Sequence, residues 1–365
     1  MVFHKTHGMN QPLFSMRTLY VSRTPADSSV YPTISAALDA IPMDLNEPAC
    51  IYLAPGIYHE KITINKPYLT ILGTGKSNKD VVLTYDDYAL APMADIGTFR
   101  SYSVFIDTHD VTLQNLTIEN ASGDSLTHGQ AIALYADGDR LVIDSCRLIG
   151  HQDTLFTGPL PPKEIEPDGF IGPKQFAPRI NGRQYYKNCY ICGDIDFIFG
   201  SATAYFENCV IESLCHTTNV NDIQGYITAA STPESQEYGY VFSNCKLISK
   251  DCPPNSVYLG RPWRNYAKTV FLECALGNHI HECGFHDWKK EDARNTVLYA
   301  EYRNYPASSA DTTSNNRSLN DDIHCIDGRC IPYPHRAEYV CELDAVQAEH
   351  FSKENVLSGA DYWNP

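Results

Sequence analysis

Apolar and polar positions alternate in short segments along most of the chain, from about residue 48 to about residue 300. Residues 61–65 and 68–73 show the pattern well, because every second position is apolar and Asn, Gly or Pro lies at the ends. Alternation with this period favours β-strands, and strands of this length are separated by turns rich in Gly, Asn and Asp. No long amphipathic helix is indicated between these limits. The pattern therefore predicts an all-β core.

Two short helical patterns flank this region. Residues 34–41 place apolar side chains at helical spacing and end before Pro42. Residues 345–357 show a similar pattern near the end of the chain, after a polar stretch at residues 306–322 that predicts a loop. We expect the first helix to cover an exposed sheet end and the second to pack on the core.

Similar segments recur along the strand-rich region, each with a small polar residue followed by Cys and alternating apolar positions. The cysteines of these segments are Cys146, Cys189, Cys209, Cys245 and Cys274. Their spacings of 43, 20, 36 and 29 residues suit a coil of about twenty residues that carries insertions. In a parallel β-helix each coil is one small unit, and stacking of coils builds the core. The repeat therefore predicts a parallel β-helix; the competing fold, a β-sandwich, would not give cysteines at recurring offsets.

The repeat also defines the expected organisation of the chain. We expect one domain over residues 1–365, with a repeat core at about 48–300 and a C-terminal packing segment at 301–365. The longest insertion runs from Thr157 to about Arg183 and is rich in Pro and Gly. It predicts a loop beside the functional cleft.

Charge limits the possible partners. The 365 residues carry a net charge of −16, which argues against nucleic acid or an anionic membrane surface as the partner. No apolar run approaches the ~18 residues that a membrane-spanning helix needs.

Thirteen cysteines leave two possibilities open. Cys189 and Cys209 lie one coil apart, so either a disulfide joins them or the cysteines fill the interior as free thiols. No basic segment followed by an apolar one is visible at the start, and abundant thiols favour a reducing compartment. We therefore expect a cytoplasmic protein, although a secreted protein whose leader had been removed would look the same.

Two aspartates occupy equivalent positions in the repeat. Asp153 follows Cys146 by seven residues, and Asp196 follows Cys189 by seven residues. If the two segments are adjacent coils, the aspartates stack at the strand spacing of about 4.8 Å. Two carboxyl groups at that separation cannot both ionise easily, so the pKa of one should rise.

Three further side chains complete a pattern typical of acyl transfer. Arg261, flanked by Gly260 and Pro262, can pair with one carboxylate and keep it anionic, because the guanidinium fork fixes both its charge and its orientation. Gln130 and Gln152 are 22 residues apart, about one coil, and stacked amide N–H groups can form an oxyanion hole. A carboxylate nucleophile, a protonated acid and oxyanion donors indicate an acyl-transfer site.

The chain resembles the pectin methylesterases, a family of carbohydrate esterases, in several blocks that occur in the family's order and cover roughly residues 20–300. The matching blocks are Gly56-x-Tyr58-x-Glu60, Gln130-Ala-Ile-Ala-Leu134, Gly150-His-Gln-Asp-Thr-Leu155, Asp196-Phe-Ile-Phe-Gly200 and Leu259-Gly-Arg-Pro-Trp263.

The resemblance implies a right-handed parallel β-helix that hydrolyses the C6 methyl ester of galacturonate units without a metal or other cofactor. It assigns Asp196 as the nucleophile and Asp153 as the acid that protonates methanol and then activates water. Gln130 and Gln152 would support the oxyanion, and Arg261 would contact Asp196.

The resemblance also suggests where the sugar binds. Ser103 stands where the family usually has a substrate-binding Thr, and Phe156 and Trp288 are expected to stack on sugar rings. The candidate substrate-binding residues are Trp263, Ser103, Phe199, Phe156 and Trp288. The implied partner is methyl-esterified homogalacturonan or an oligogalacturonide, which is neutral where it is methylated and so suits an acidic protein. We expect a monomer.

Several motifs admit other interpretations. Asp194 competes with Asp196 for the nucleophile role, although the offset from Cys189 favours Asp196. The segment Gly123-Asp-Ser125-Leu126 matches the short nucleophile motif of another esterase class, with Asp321 and His324 as possible partners. Two further groups are interpreted as structural or exposed: Glu60, and the histidines and cysteine at residues 279–286, whose spacing fits no zinc motif.

The sequence is compatible with two other functions. A β-helical glycoside hydrolase also uses paired carboxylates, but it needs neither the Gln pair nor an Arg on the nucleophile. A non-catalytic polysaccharide-binding β-helix would tolerate loss of the acid, the nucleophile or Arg261, and all three are present.

Overall fold

A computed structural model of the protein describes residues 16–43, 47–92, 97–307 and 335–365. It contains three parallel β-sheets. All strand pairs between the described strands are parallel, and each strand pairs with its equivalent in the next coil. This arrangement confirms the predicted parallel β-helix and excludes a β-sandwich. Residues 308–334, which include most of the predicted polar loop, lie outside the described residues.

The strands are numbered in chain order and grouped by sheet. Sheet A contains, in spatial order, β2 (Val30–Tyr31), β1 (Arg17–Val21), β3 (Ala49–Leu53), β6 (Leu69–Gly73), β9 (Val111–Gln114), β12 (Leu141–Asp144), β15 (Arg183–Lys187), β18 (Thr203–Glu207), β21 (Tyr240–Ser243), β24 (Lys268–Leu272), β26 (Leu298–Tyr302) and β28 (Val340–Glu342). Sheet B contains β27 (Tyr305–Pro306), β25 (Ala275–Leu276), β22 (Lys246–Ile248), β19 (Val210–Ser213), β16 (Tyr190–Gly193), β13 (Arg147–Ile149), β10 (Thr117–Asn120), β7 (Val81–Tyr85) and β4 (Gly56–His59). Sheet C contains β23 (Val257–Gly260), β20 (Gly225–Ala230), β17 (Ile195–Gly200), β14 (Leu155–Thr157), β11 (Leu134–Ala136), β8 (Val104–Ile106) and β5 (Ile62–Ile64).

The helices are short and lie at the ends or corners of the solenoid. They are α1 (Ile34–Asp39), α2 (Ser125–His128), α3 (Ala345–Glu349) and α4 (Lys353–Leu357), with 3-10 turns at Thr98–Arg100, Glu291–Asn295 and Gly359–Asp361. Helix α1 buries Ile34, Ala37 and Leu38 against the first strands, as the pattern predicted. Glu60 accepts hydrogen bonds from the backbone N–H groups of Ile34 and Ser35, so its role here is structural.

The single C-terminal helix predicted over residues 345–357 is wrong in detail, because α3 and α4 are separate. The chain is extended at Ser352, with ψ of 153°, so the helix cannot continue through it. Just before the break, Phe351 is buried in an apolar cluster with Tyr185 and Tyr205 of sheet A. Packing of this aromatic side chain on the outer face of the sheet takes precedence over the local helical pattern.

The recurring pair of a polar residue and Cys marks the corner between sheets A and B. The residues before the corner cysteines have a left-handed backbone, with φ of 53° at Asn188, 54° at Asn208 and 52° at Asn244. Asn tolerates this conformation better than most residues, and the turn directs the next side chain into the core. Stacked corners of this kind produce the sequence repeat.

The corner cysteines are free thiols that stack inside the solenoid. Every cysteine of the described residues is free, Cys189 and Cys209 included. The thiol of Cys189 donates to the carbonyl oxygen of Ile143, and that of Cys209 to the carbonyl oxygen of Tyr186. The structure therefore supports interior packing and contradicts the alternative of a disulfide between Cys189 and Cys209.

The predicted insertion forms a loop between β14 and β15. The guanidinium group of Arg179 holds it together by donating to the carbonyl oxygens of Pro161, Lys174, Gln175 and Ala177. Two of its buried side chains, Leu160 and Phe170, join an aromatic cluster that includes residues of sheet C. No helix among the described residues is long and apolar enough to span a membrane.

The corner geometry leads to a stability prediction. Asn208→Ala should lower the free energy of unfolding by about 1 kcal/mol, because an alanine pays more for a left-handed backbone than an asparagine does. Asn208→Gly should cost less than Asn208→Ala, since glycine adopts this φ freely.

Denaturant unfolding of both variants tests this prediction. Asn221, which is exposed and has no left-handed backbone, provides the matched control, and Asn221→Ala should change stability by less than about 0.5 kcal/mol. Equal losses for the alanine and glycine variants at position 208 would contradict the account of the corner.

Candidate active site

Asp196 lies in β17 of sheet C, and Asp153 lies two residues before the neighbouring strand β14, at the equivalent position of its coil. Leu155 of β14 pairs with Ile198 of β17, so the two aspartates, each two residues earlier, belong to adjacent coils. The backbone N–H of Asp153 donates to the carbonyl oxygen of Ile195 at 3.1 Å, so the parallel pairing of the two coils extends to the aspartates. The seven-residue offset from the corner cysteines therefore predicted the stacking of the coils correctly.

Both aspartates have a left-handed backbone, with φ of 67° at Asp153 and 50° at Asp196. This conformation is uncommon outside glycine and costs free energy that the surrounding ladder must offset. Both carboxyl groups are almost buried, with 7% of each residue exposed. The left-handed backbone recurs at the corners of the repeat, so it is the two nearly buried carboxyl groups at equivalent positions that distinguish this part of sheet C.

Arg261 holds the carboxylate of Asp196 in a two-point ion pair. Its Nε lies 2.8 Å from Oδ1 and its Nη2 lies 2.7 Å from Oδ2. The guanidinium carbon is 3.8 Å from the ring centres of both Tyr226 and Trp288, so two aromatic faces enclose the cation. This contact fixes the planar group and keeps water from it, which strengthens the ion pair.

The backbone before Arg261 is also tightly constrained. A Cβ atom at Gly260 would lie 2.0 Å from Oγ1 of Thr228, so any side chain there would push β23 away from β20. The close approach of the two strands positions Arg261, whose backbone N–H donates to the carbonyl oxygen of Thr228.

Electrostatics separates the two carboxyl groups. Burial raises the pKa of Asp153 well above its ordinary value, and the neighbouring charge of Asp196 raises it further. Burial also raises the pKa of Asp196, but Arg261 opposes that rise through its charge and hydrogen bonds. Asp196 therefore ionises first, while Asp153 retains its proton over a wider pH range.

Gln130 and Gln152 occur at neighbouring levels beside the aspartates. The N–H of Ala131, next to Gln130, donates to the carbonyl oxygen of Gln152 at 3.1 Å. Both glutamines are partly buried, and among the described residues neither side-chain amide has a hydrogen-bond partner. The amide N–H groups are therefore available to an oxygen atom of a ligand.

The candidate sugar-binding aromatic residues divide into buried and partly exposed groups. Phe156 is fully buried and Phe199 nearly so, in a cluster with Phe99, which lies just before β8. Trp263 and Trp288 lie at the edge of this cluster and are partly exposed. Of these four candidates, the two tryptophans therefore offer surface to a sugar ring.

The burial of Phe156 and Ser103 does not fit the predicted sugar contacts. Leu160 and Phe170 of the insertion cover the cluster that contains Phe156, so its ring packs against protein. Ser103 is fully buried, and its hydroxyl donates to the carbonyl oxygen of Glu119 at 2.7 Å. Both side chains are thus occupied by contacts inside the protein.

Sequence reasoning missed two residues near the acid pair. Tyr226 supports the guanidinium group of Arg261, as described above. The positive charge of Lys290 acts on Asp196, and burial lowers the pKa of Lys290 to about 8. Both residues lie in segments without a recurring motif, so the sequence alone held no signal for them.

Asp194 contacts side chains other than Arg261. Its Oδ2 accepts a hydrogen bond from Oγ of Ser125 at 2.5 Å and lies 3.6 Å from Nδ1 of His216. Oγ of Ser125 also lies 3.0 Å from Nδ1 of His216, so the same ring nitrogen faces both the serine and the carboxylate. In a Ser-His-Asp triad the histidine instead uses one nitrogen for the serine and the other for the carboxylate. The proposed partners of Ser125 in the alternative esterase motif, Asp321 and His324, lie outside the described residues.

The histidines at residues 279–286 make separate contacts. His279 is buried, which lowers its pKa to about 4, whereas His281 stacks on Tyr258. Over residues 16–43, 47–92, 97–307 and 335–365, no group of three or more His, Cys, Asp or Glu side chains is arranged to hold a metal ion.

Comparison with known proteins gives a consistent result. A family model described as Pectinesterase matches residues 21–159 and 179–320. The stretch between the two matched ranges lies within the insertion that covers the aromatic cluster. Pectinesterase 31 of Arabidopsis thaliana is 32% identical over 318 residues, which are 84% of this chain and 90% of that protein.

Solved structures of similar proteins share the fold over nearly the whole chain. The pectin methylesterase PemA from Erwinia chrysanthemi is similar with a TM-score of 0.69 and 26% identity, over 95% of this chain and 98% of that chain. A pectin methylesterase solved in complex with hexasaccharide VII is similar with a TM-score of 0.70 and 26% identity, over the same shares of both chains.

The electrostatic asymmetry of the two aspartates can be measured directly. In a carboxyl-carbon NMR titration, Asp153 should stay protonated well above about pH 4, the ordinary aspartate range. Asp196→Asn should lower the pKa of Asp153, because it removes the neighbouring negative charge.

Asp144→Asn is a matched control, since Asp144 lies on sheet A and bonds to Gln114 and Ser145 instead. It should leave the titration of Asp153 unchanged. A pKa of Asp153 in the ordinary range, or one that Asp196→Asn leaves unmoved, would contradict the coupling.

Proposed function

The chain belongs to the pectinesterase family of carboxylic ester hydrolases, and on that premise we propose that it hydrolyses the C6 methyl esters of galacturonate units in pectin. The observation that carries this proposal is the asymmetric pair of buried carboxyl groups, with Arg261 bonded to Asp196 alone. The same pair supports distinct roles, a charged nucleophile and a protonated acid.

The first half of the reaction forms an acyl-enzyme. An oxygen of the Asp196 carboxylate attacks the C6 carbonyl carbon, and the amide N–H groups of Gln130 and Gln152 stabilise the negative oxygen of the tetrahedral intermediate. As the bond from C6 to the methoxy oxygen breaks, Asp153 gives its proton to that oxygen and methanol leaves. An anhydride between Asp196 and the C6 carboxyl group remains.

The second half releases the product. Asp153, now ionised, takes a proton from water while the water oxygen attacks the C6 carbon of the anhydride. The bond to Asp196 breaks, the sugar leaves as a carboxylic acid that ionises in solution, and Asp153 holds its proton again. Arg261 keeps Asp196 oriented and charged for the next cycle.

Methyl-esterified homogalacturonan or an oligogalacturonide is the proposed partner. A similar enzyme was solved with a bound hexasaccharide, which supports an oligosaccharide ligand. Each methylated unit is neutral, so the net charge of −16 does not repel it. The partly exposed rings of Trp263 and Trp288 suit the apolar faces of sugar rings beside the acids.

Product analysis tests the reaction class. The protein incubated with methylated pectin should release methanol without creating new reducing ends. Reducing ends without methanol would instead mean a β-helical glycoside hydrolase, and release of neither product would mean a non-catalytic polysaccharide-binding protein.

Substitution of the proposed nucleophile tests its role. Asp196→Asn should lower kcat for methanol release by about a thousandfold or more, because the amide is a poor nucleophile. Ser125→Ala should keep kcat within about tenfold, since the hydroxyl of Ser125 serves a carboxylate that does not attack the ester.

Thermal unfolding of both variants provides the control for folding. The opposite ranking, with Ser125→Ala inactive and Asp196→Asn active, would transfer the nucleophile role to Ser125 and contradict the mechanism.

A further inference from the structure

A buried carboxylate two residues before Asp196 joins its own loop to three other loops of the solenoid. The Asp194 side chain is 1% exposed, and its Oδ2 contacts Nδ1 of His151 at 3.4 Å and Nδ1 of His216 at 3.6 Å. The same oxygen accepts the hydrogen bond from Ser125, at the start of α2. Its other oxygen, Oδ1, accepts from the backbone N–H of Ile195 at 2.6 Å. Both carboxylate oxygens of Asp194 therefore have hydrogen-bond partners within the protein.

The Asp194 cluster, formed by Asp194, Ser125, His151 and His216, is tied to the acid pair through the backbone. The N–H of Asp194 donates to the carbonyl oxygen of His151, two residues before Asp153. The carbonyl oxygen of Asp194, two residues before Asp196, accepts from the N–H of Tyr226, whose ring supports Arg261. Displacement of the cluster would therefore disturb Asp153, Asp196 and Arg261.

The cluster is also charged. Burial raises the pKa of Asp194, but hydrogen bonds from His151, His216 and Ser125 outweigh burial and lower that pKa to about 2. Asp194 is thus ionised at every pH at which the protein would work. The hydrogen bond to Asp194 raises the pKa of His216 in turn, so His216 balances that charge in acid and not at alkaline pH.

We propose that Asp194, with Ser125, His151 and His216, is a positioning group that sets the pH range in which the acid pair holds one proton on Asp153. This inference rests on the proposed function. It differs from the proposed mechanism because none of these four side chains touches the reacting atoms.

Other charged groups also act on Asp153, Asp196 and His216, and the test must leave those groups unsubstituted. Asp153 is under the influence of Asp196, Arg261 and Asp194. Asp196 is under the influence of Arg261, Lys290 and Asp194. Asp124 acts on His216 from the N-terminal side of α2. Among these groups, only Asp194 belongs to the cluster and acts on both acids.

The sign of the effect follows from the charges. Activity is lost on the acid side when Asp196 becomes protonated and on the alkaline side when Asp153 loses its proton. The negative charge of Asp194 favours the protonated form of both groups, so it moves both limbs of the pH profile to higher pH.

The test is the pH dependence of kcat for methanol release. Asp194→Asn keeps the shape of the side chain and removes its charge, so both limbs should move to lower pH by about half to one pH unit. His216→Gln removes a positive charge that is present only in acid. It should move the acid limb to higher pH and leave the alkaline limb in place.

A matched control and a folding measurement complete the test. Asp144→Asn, a hydrogen-bonded aspartate on sheet A, should leave both limbs where the unsubstituted protein has them. Thermal unfolding shows whether Asp194→Asn is folded. If it is not, the movement of the acid limb in His216→Gln decides whether the cluster sets the pH range.

Each remaining outcome overturns one specific claim. Limbs that stay in place in Asp194→Asn and His216→Gln, whatever the loss of kcat, would overturn the inference and leave the cluster a purely structural role. Absence of methanol release by the unsubstituted protein would instead overturn the proposed function itself.

Discussion

The parallel register of sheet C is the constraint on which the site depends. Because β14 and β17 pair residue by residue, two aspartates at the same position in successive coils must lie about one strand spacing apart, roughly 4.8 Å. Two buried carboxyl groups at that distance repel each other if both ionise. Arg261, enclosed by two aromatic rings, resolves the conflict by neutralising only Asp196. The solenoid thus produces chemical asymmetry from a geometric repeat.

The sequence predicted those parts of the site that follow the repeat. The corner residues in left-handed conformation recur with each coil, so the offset from Cys146 and Cys189 carried the positions of the two acids. Family blocks and the flanking Gly and Pro identified Arg261. For the same reason the fold class was predictable: stacked coils leave a periodic trace of buried cysteines and asparagine corners.

Contacts made by loops of unequal length could not be predicted in this way. The Asp194 cluster joins four corner loops from successive coils, and nothing in the spacing of Ser125 and His216 records that they meet. Phe156 was expected to face the sugar, but the insertion between β14 and β15 brings Phe170 over its cluster. The C-terminal helix was divided for a similar reason, since burial of Phe351 took precedence over local periodicity.

The most direct test of the central claim is a crystal structure of the Asp153→Asn variant with a methyl-esterified oligogalacturonide bound. The account predicts the C6 carbon of one methylated unit at about 3–3.5 Å from a carboxylate oxygen of Asp196, with the methoxy oxygen facing position 153. The side-chain amides of Gln130 and Gln152 should point at the carbonyl oxygen. An ester bound away from Asp196 would contradict the account. So would an ester whose carbonyl oxygen faces residues 153 and 196 from one side while its C6 carbon lies far from both.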